Sequence, residues 1–198
     1  MKSRKSVGLA GCVTGVFVAL GVMGAFACTK DKKSDDVGTT SVTNADVGLT
    51  APQIMEVARM ATAARVAEAH LARDRSMDPR VQTLAAAMLE EDPASDGKSF
   101  EIEKRLDFQR RETLTSANIK DEADTTMKDL WTQSGVELDR AYVNAAVMEE
   151  QRFLVLIDSR LLPAAKDADV RAYLNDLRAL TVKHLTAAKI VQDQIEPS

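Results

Sequence analysis

The amino-acid sequence predicts an all-α protein: an antiparallel four-helix bundle with one extra short helix, preceded by an export signal and a flexible tether. Three observations lead there. Beyond residue 50, apolar residues recur at steps of three and four, the spacing that lines one face of a helix. Only Gly97 and Gly135 occur after Gly48, too few glycines for the turns of an all-β domain. The 198 residues are 45% hydrophobic and 28% charged, enough to pack one domain and too little for several.

The first segment stands apart from the bundle. Lys2, Arg4 and Lys5 precede Val7 to Ala27, an uncharged apolar run, and Ala25-Phe26-Ala27 supplies small residues for cleavage, so residues 1–27 have the layout of a secretory signal. Cys28 follows, and Ala25-Phe26-Ala27-Cys28 resembles a bacterial lipoprotein signal, with Ala25 where that pattern usually has Leu. The resemblance implies an exported protein whose Cys28 thiol is lipidated, anchoring it in the outer membrane facing the periplasm or on the cell surface. A soluble form cut after Ala27 and an uncleaved anchor are the competing readings, since a bilayer needs about 20 apolar residues to cross. Cys12 leaves with the signal, so no disulfide pair is available to the mature chain. The formal charge is −4, and removing three of the 26 basic residues with the signal leaves 23 against 30 acidic ones, or −7. That charge excludes nucleic acid as a partner, because no positive field draws phosphates in.

Residues 28–49 are rich in Lys, Asp, Ser and Thr without any period and read as a flexible linker. The bundle domain takes residues 50–198. Thr50-Ala51-Pro52-Gln53 has the form of a capping box with proline in the first turn; it opens a helix carrying Ile54, Val57, Ala58, Ala61, Ala64 and Leu71 and ending near Asp74. Asp78-Pro79 repeats the signal for a second helix with Val81, Leu84, Ala85 and Met88 on one face. Pro93 and Gly97 either break that helix, with a loop at 93–98, or only kink it. Leu106 lies 18 residues after Met88, five whole turns, so the stripe survives across the proline. The polar stretch Thr113 to Asn118 leads to a short helix through Met127, Leu130 and Trp131. Ser134 to Glu137 is a second capping-box pattern, opening a long helix with Leu138, Tyr142, Ala145, Ala146, Phe153, Leu156 and Ile157 that Pro163 stops. Asp167 caps the last helix, whose stripe reads Val170, Leu174, Leu177, Thr181, His184, Ala188, Val191 and Ile195. An unbroken alternation of fours and threes is the seam a four-helix bundle needs.

Taken together, Leu49-Thr50-Ala51-Pro52-Gln53-Ile54, Asp78-Pro79-Arg80-Val81, Met88-Leu89-Glu90-Glu91-Asp92 and the run from Ser134 to Val143 resemble the ferritin-like bacterial domain of unknown function numbered four-one-four-two. The resemblance covers roughly Leu49 to Ile195 and implies a ferritin-like bundle of the periplasm or outer membrane. It also shows a departure: two positions where the family pattern carries histidine are Asp92 and Glu150 here, and only His184 matches.

Di-metal sites of ferritin-like bundles use Glu-x-x-His on two helices, and the residues three before His70 and His184 are Ala67 and Thr181. A conventional di-iron site is therefore not encoded. Two polar residues nevertheless fall on inward stripes. Glu149 lies between Ala146 and Phe153, and His184 between Leu177 and Val191; each is about 20–25 Å from the Pro163–Asp167 turn on antiparallel helices. They form a candidate buried polar pair, since an unpartnered buried carboxylate costs several kcal/mol. The same residues with Glu91 or Asp92 form the candidate metal site, Glu91, Asp92, Glu149 and His184. Glu68 and Arg65 lie near the stripes one turn apart, and His70 lies off its stripe, facing solvent. No phosphate loop, Cys/His cluster or catalytic triad pattern occurs, so no catalytic residues are assigned and no cofactor is expected beyond a metal ion. Two function classes follow: a membrane-tethered, non-enzymatic envelope module that binds another envelope protein, and a ferritin-like metal-binding or redox protein.

Overall fold

Most helices of this chain begin where a side chain meets backbone N–H groups that have no partner within the helix. The computed structural model describes residues 48–195; the signal, Cys28 and most of the expected linker lie outside them. The linker expectation fails at its last residue, because Leu49 is buried in the core beside Ile54. Helix α1 (Ala51–Arg75) opens with the Gln53 side chain accepting the Thr50 backbone N–H at 2.9 Å, with proline in its first turn. Helix α2 (Pro79–Leu106) opens on Asp78, which accepts the Arg80 N–H at 2.8 Å. It is continuous through Pro93: the proline removes one bond to the Leu89 carbonyl, while Met88, Asp92, Ser95, Ser99 and Ile102 keep one face buried.

Helix α3 (Leu114–Thr132) is longer than its sequence announces. The stretch expected as a polar lead-in is its first turn, because Ser116 donates its N–H to the Thr113 hydroxyl (2.9 Å) and accepts the Thr113 N–H (2.8 Å). Only Ser116 and Leu130 of this helix are buried, so no apolar stripe marked it. Helix α4 (Gly135–Leu156) begins where expected, but the Ser134 hydroxyl makes no capping bond; Gly135 at φ +57° turns the chain into the helix. Pro163 does not stop α4 at once. Ile157–Leu161 widen into a π turn and Leu162–Ala164 add a last α turn. The wider register comes just before Pro163, where an α register brings the ring against the Ser159 carbonyl. Helix α5 (Ala168–Ile195) is capped by Asp167, which accepts the N–H groups of Asp169 (2.8 Å) and Val170 (3.1 Å).

Two apolar clusters fix the packing. One joins the start of α1 (Ile54, Val57) to the ends of α2 (Ile102) and α4 (Phe153), the π turn (Ile157) and the start of α5 (Val170, Leu174). The other joins the end of α1 (Ala69, Ala72) to the starts of α2 (Val81, Leu84) and α4 (Leu138, Tyr142) and the end of α5 (Ala188). Helix α1 packs on α2 and α4, and α5 packs on the same two helices. Every neighbouring pair of long helices is therefore antiparallel, and the pairs α1/α5 and α2/α4 run parallel across the diagonals. Since α2 and α4 start at the same end, the chain must return along the bundle between them. Helix α3 lies in that connection, against α1 and α4.

Candidate functional site

Between the two apolar clusters the bundle carries a layer of buried polar side chains from all four long helices. Thr62, Arg65 and Glu68 come from α1, Asp92 from α2, Glu150 from α4, and Thr181 and His184 from α5. Each occupies its helix's inward stripe, so burying the apolar residues above and below buries it as well.

Arg65 holds the middle of the layer, only 4% exposed. Its Nε and Nη2 donate to the two oxygens of Asp92 at 3.2 and 3.1 Å, Nη2 also donates to the Thr62 hydroxyl at 3.3 Å, and Nε lies 3.3 Å from Glu150 Oε1. The guanidinium stacks on Phe153, 5.0 Å from the ring centre. Burial by itself favours the neutral form of Arg65, but the carboxylates of Glu150 and Asp92 outweigh it and raise its pKa further. Asp92 and Glu150 are themselves fully buried.

His184 lies on the other side of Glu150. Its Nδ1 stands 3.4 Å from Glu150 Oε1 and its Nε2 3.2 Å from Glu91 Oε2, while Lys183 reaches the other oxygen of Glu91. The hydrogen bond from Lys183 holds the Glu91 carboxyl below its ordinary pKa. On the α1 side, Glu68 pairs with Glu149, which also accepts from the Thr126 hydroxyl of α3 at 3.3 Å. Burial, reinforced by the neighbouring Glu149 charge, pushes the Glu68 carboxyl up to about 10. Burial raises Glu149 as well, while its hydrogen bond with Glu68 draws it down, so the proton of this pair rests on Glu68. Tyr142 points its hydroxyl at Met88 Sδ, 3.4 Å away, and burial followed by the charge of Glu68 keeps it protonated.

The structure thus redistributes the expected site. The pair Glu149–His184 does not form. His184 meets Glu91 and Glu150, and Glu149 turns toward Glu68 and Thr126 instead. The two positions are adjacent on α4, and Glu150, faced by Arg65 and His184, takes the fully buried place while Glu149 sits at the helix flank, half-buried. The four candidate metal ligands are likewise divided among separate partners, Asp92 on Arg65, Glu149 on Glu68, and Glu91 on Lys183 and His184. Among the described residues no three His, Cys, Asp or Glu side chains stand in a geometry that holds a metal ion. His70 is exposed, as its position off the stripe predicts, and lies 3.3 Å from Arg73 Nη2. The parts that sequence reasoning missed are Arg65 as the centre of the layer, Glu150 as its bridge, and Thr126 as a contact from a helix with no apolar stripe.

A family model described as a domain of unknown function (DUF4142) matches residues 38–191. The chain belongs to this family. No curated protein and no solved structure matches it. Within this DUF4142 chain the matched span contains the whole polar layer, from Thr62 to His184. Among the described residues no helix is long and apolar enough to cross a membrane.

Proposed function

We propose that this protein is a ferritin-like binding module of the cell envelope, held at a membrane by lipidated Cys28 and acting through contact with another envelope protein, without chemical turnover. The observation that carries the reading is a set of exposed apolar side chains at the end of the bundle opposite Leu49. The chain enters the bundle at Leu49, at the start of α1. At the far end of α1, roughly 37 Å away for 25 helical residues, large apolar side chains are exposed: Met77 at 84%, Trp131 at 62% and Val136 at 53%. Arg75 stacks on Trp131 at 5.0 Å and donates to the Gln133 carbonyl at 2.6 Å.

Two further features support the reading. The antiparallel neighbours and parallel diagonals match the connectivity of a ferritin-like bundle, and the place where such a bundle holds metal is closed by an arginine. A metal-centred function lacks a ligand set as long as Arg65 occupies Asp92 and faces Glu150.

The test uses the full-length chain expressed in its own membranes. Intact mass of the membrane-bound form is expected to show a lipid adduct on Cys28, and in-cell cross-linking from residue 136 is expected to capture a discrete envelope protein, lost when Met77 and Trp131 become serine. Stoichiometric iron, zinc or copper in protein purified without chelator, lost on His184→Ala, overturns this reading in favour of a metal protein.

A further inference from the structure

Helix α3 is held differently from the four long helices. Each of those buries at least seven side chains, whereas the 19 residues of α3 bury two, Ser116 and Leu130, one near each end. Both ends are pinned. Before the first turn the Arg111 N–H donates to the Pro52 carbonyl at 3.1 Å, and Ser116 is sealed into the cap with Thr113. At the other end Leu130 enters the second apolar cluster, and Arg75 donates to the carbonyls of Trp131 (3.3 Å) and Gln133 (2.6 Å) while stacking on the Trp131 ring.

The middle of the helix has no comparable hold. From residue 117 to residue 129 no side chain is fully buried. Ile119 rests against the first apolar cluster and Met127 against the second, and Thr126 donates to Glu149 at 3.3 Å. Glu122 pairs with Arg152 at 3.2 Å, but both side chains are more than half exposed, and an ion pair in water contributes little. Beneath this stretch the packing stops. A cleft of about 90 Å³ separates α3 from α1 and α4, walled mostly by Ala61, Ala64, Ala123, Phe153 and Leu156, with Arg65 and Glu149 also lining it. Across such a gap the helix loses the dispersion contacts that hold an element down.

We infer that the middle of α3 is a lid over this side of the polar layer: residues 117–127 unfold locally while the four long helices and both anchors stay in place. Each opening breaks the bond from Thr126 and admits solvent and small solutes to the cleft, where Arg65 and Glu149 lie. Local opening takes place in elements with few buried apolar contacts, and of the five helices α3 has the fewest buried residues.

The test is native-state hydrogen exchange of the full-length chain, read by mass spectrometry at low urea concentrations, with a reporter cysteine at Ala61, which lines the cleft and is 7% exposed. Amides of residues 117–127 are expected to exchange at least about a hundredfold faster than those in the buried stretches of α1 and α4, with little dependence on urea because a local opening exposes little surface. Ala123→Leu, which fills the cleft from the lid side, is expected to slow that exchange roughly tenfold without slowing α5. Ala61→Cys is expected to react with a small maleimide in the native state, the adduct being located by peptide mapping. Thr126→Val, which removes the bond to Glu149, is expected to speed both this labelling and α3 exchange by the same factor, about tenfold. Exchange of residues 117–127 in step with α1 and α4, with the urea dependence of global unfolding, overturns the inference. So does labelling at residue 61 that Thr126→Val leaves unchanged.

Discussion

Replacing Arg65 by methionine removes the layer's only guanidinium while keeping most of the volume of its stem. Asp92 and Glu150 are both fully buried, so neither can turn to water for a new partner. The lost contacts are the two Asp92 bonds at 3.2 and 3.1 Å, the 3.3 Å approach to Glu150, and the stacking on Phe153. Breaking a buried ion pair from one side costs about 3–5 kcal/mol, and a desolvated cation–π contact adds about 1–2 kcal/mol. Against a total stability of about 5–15 kcal/mol for a domain, Arg65→Met should lose from about a quarter of it to all of it. Urea denaturation followed by far-ultraviolet circular dichroism reads this as a shifted midpoint at unchanged slope. A loss below about 1 kcal/mol would refute the reasoning, since it would show that the two carboxylates carry no uncompensated charge without Arg65.

Two further expectations follow from groups elsewhere. The Glu68 pKa is raised above its unfolded value of 4.5, so its contribution is fully present below about pH 4.5 and is lost as pH rises through about 10. Stability should decline across that window by at most about 1.4 kcal/mol per pH unit, and Glu68→Gln, which mimics the protonated acid, should flatten the decline in urea midpoints measured near pH 5, 7 and 9. Asp167→Ala removes the acceptor of two N–H groups at the start of α5 and should cost about 1 kcal/mol by thermal denaturation; no change would mean that Ala168–Ile195 is held by packing alone.

How much of this was legible in the sequence depended on whether a residue's role is local or set by its neighbours. Asp78 and Asp167 are local: each caps the helix beginning next to it, and each was readable from cap and spacing. The stripe of α5 was also readable, and Val170, Leu174, Leu177, Thr181, His184 and Ala188 are all buried. The passage of α2 through Pro93 follows from the phase of Met88 and Leu106, a property of one helix. Helix α3 was under-read because its partners lie on other helices, and its cap uses Ser116 where Glu or Gln is the usual signal. Glu149 and Glu150 illustrate the limit most clearly. Both satisfy a three-four step between Ala146 and Phe153, and periodicity cannot choose between adjacent residues at the edge of a stripe. The choice is made by Arg65 and His184, which face Glu150 from two other helices. Arg65 itself lay one turn from Glu68 on α1, but nothing in α1 alone reveals that Asp92 waits opposite.

The layer's position between two apolar clusters suggests what it contributes to the fold. The clusters are built largely from Ala, Leu, Val and Ile, side chains that tolerate exchange for one another at modest cost. Sliding one helix by a turn would still bury apolar surface in both clusters. It would also set Asp92 or Glu150 against hydrocarbon, at several kcal/mol for each uncompensated charge. The polar layer therefore selects one register among several that the apolar packing alone would accept, a role buried polar groups fill in some helical assemblies. Replacing all three charges, Arg65→Met with Asp92→Leu and Glu150→Leu, separates this from a contribution to stability. The triple variant should be at least as stable as the native chain, because well-packed apolar replacements of a buried ionic cluster are neutral or gain about 1–4 kcal/mol. It should at the same time lose uniqueness, with broadened side-chain NMR signals and binding of a hydrophobic dye. A triple variant with sharp signals and no dye binding would show that the apolar clusters fix the register unaided.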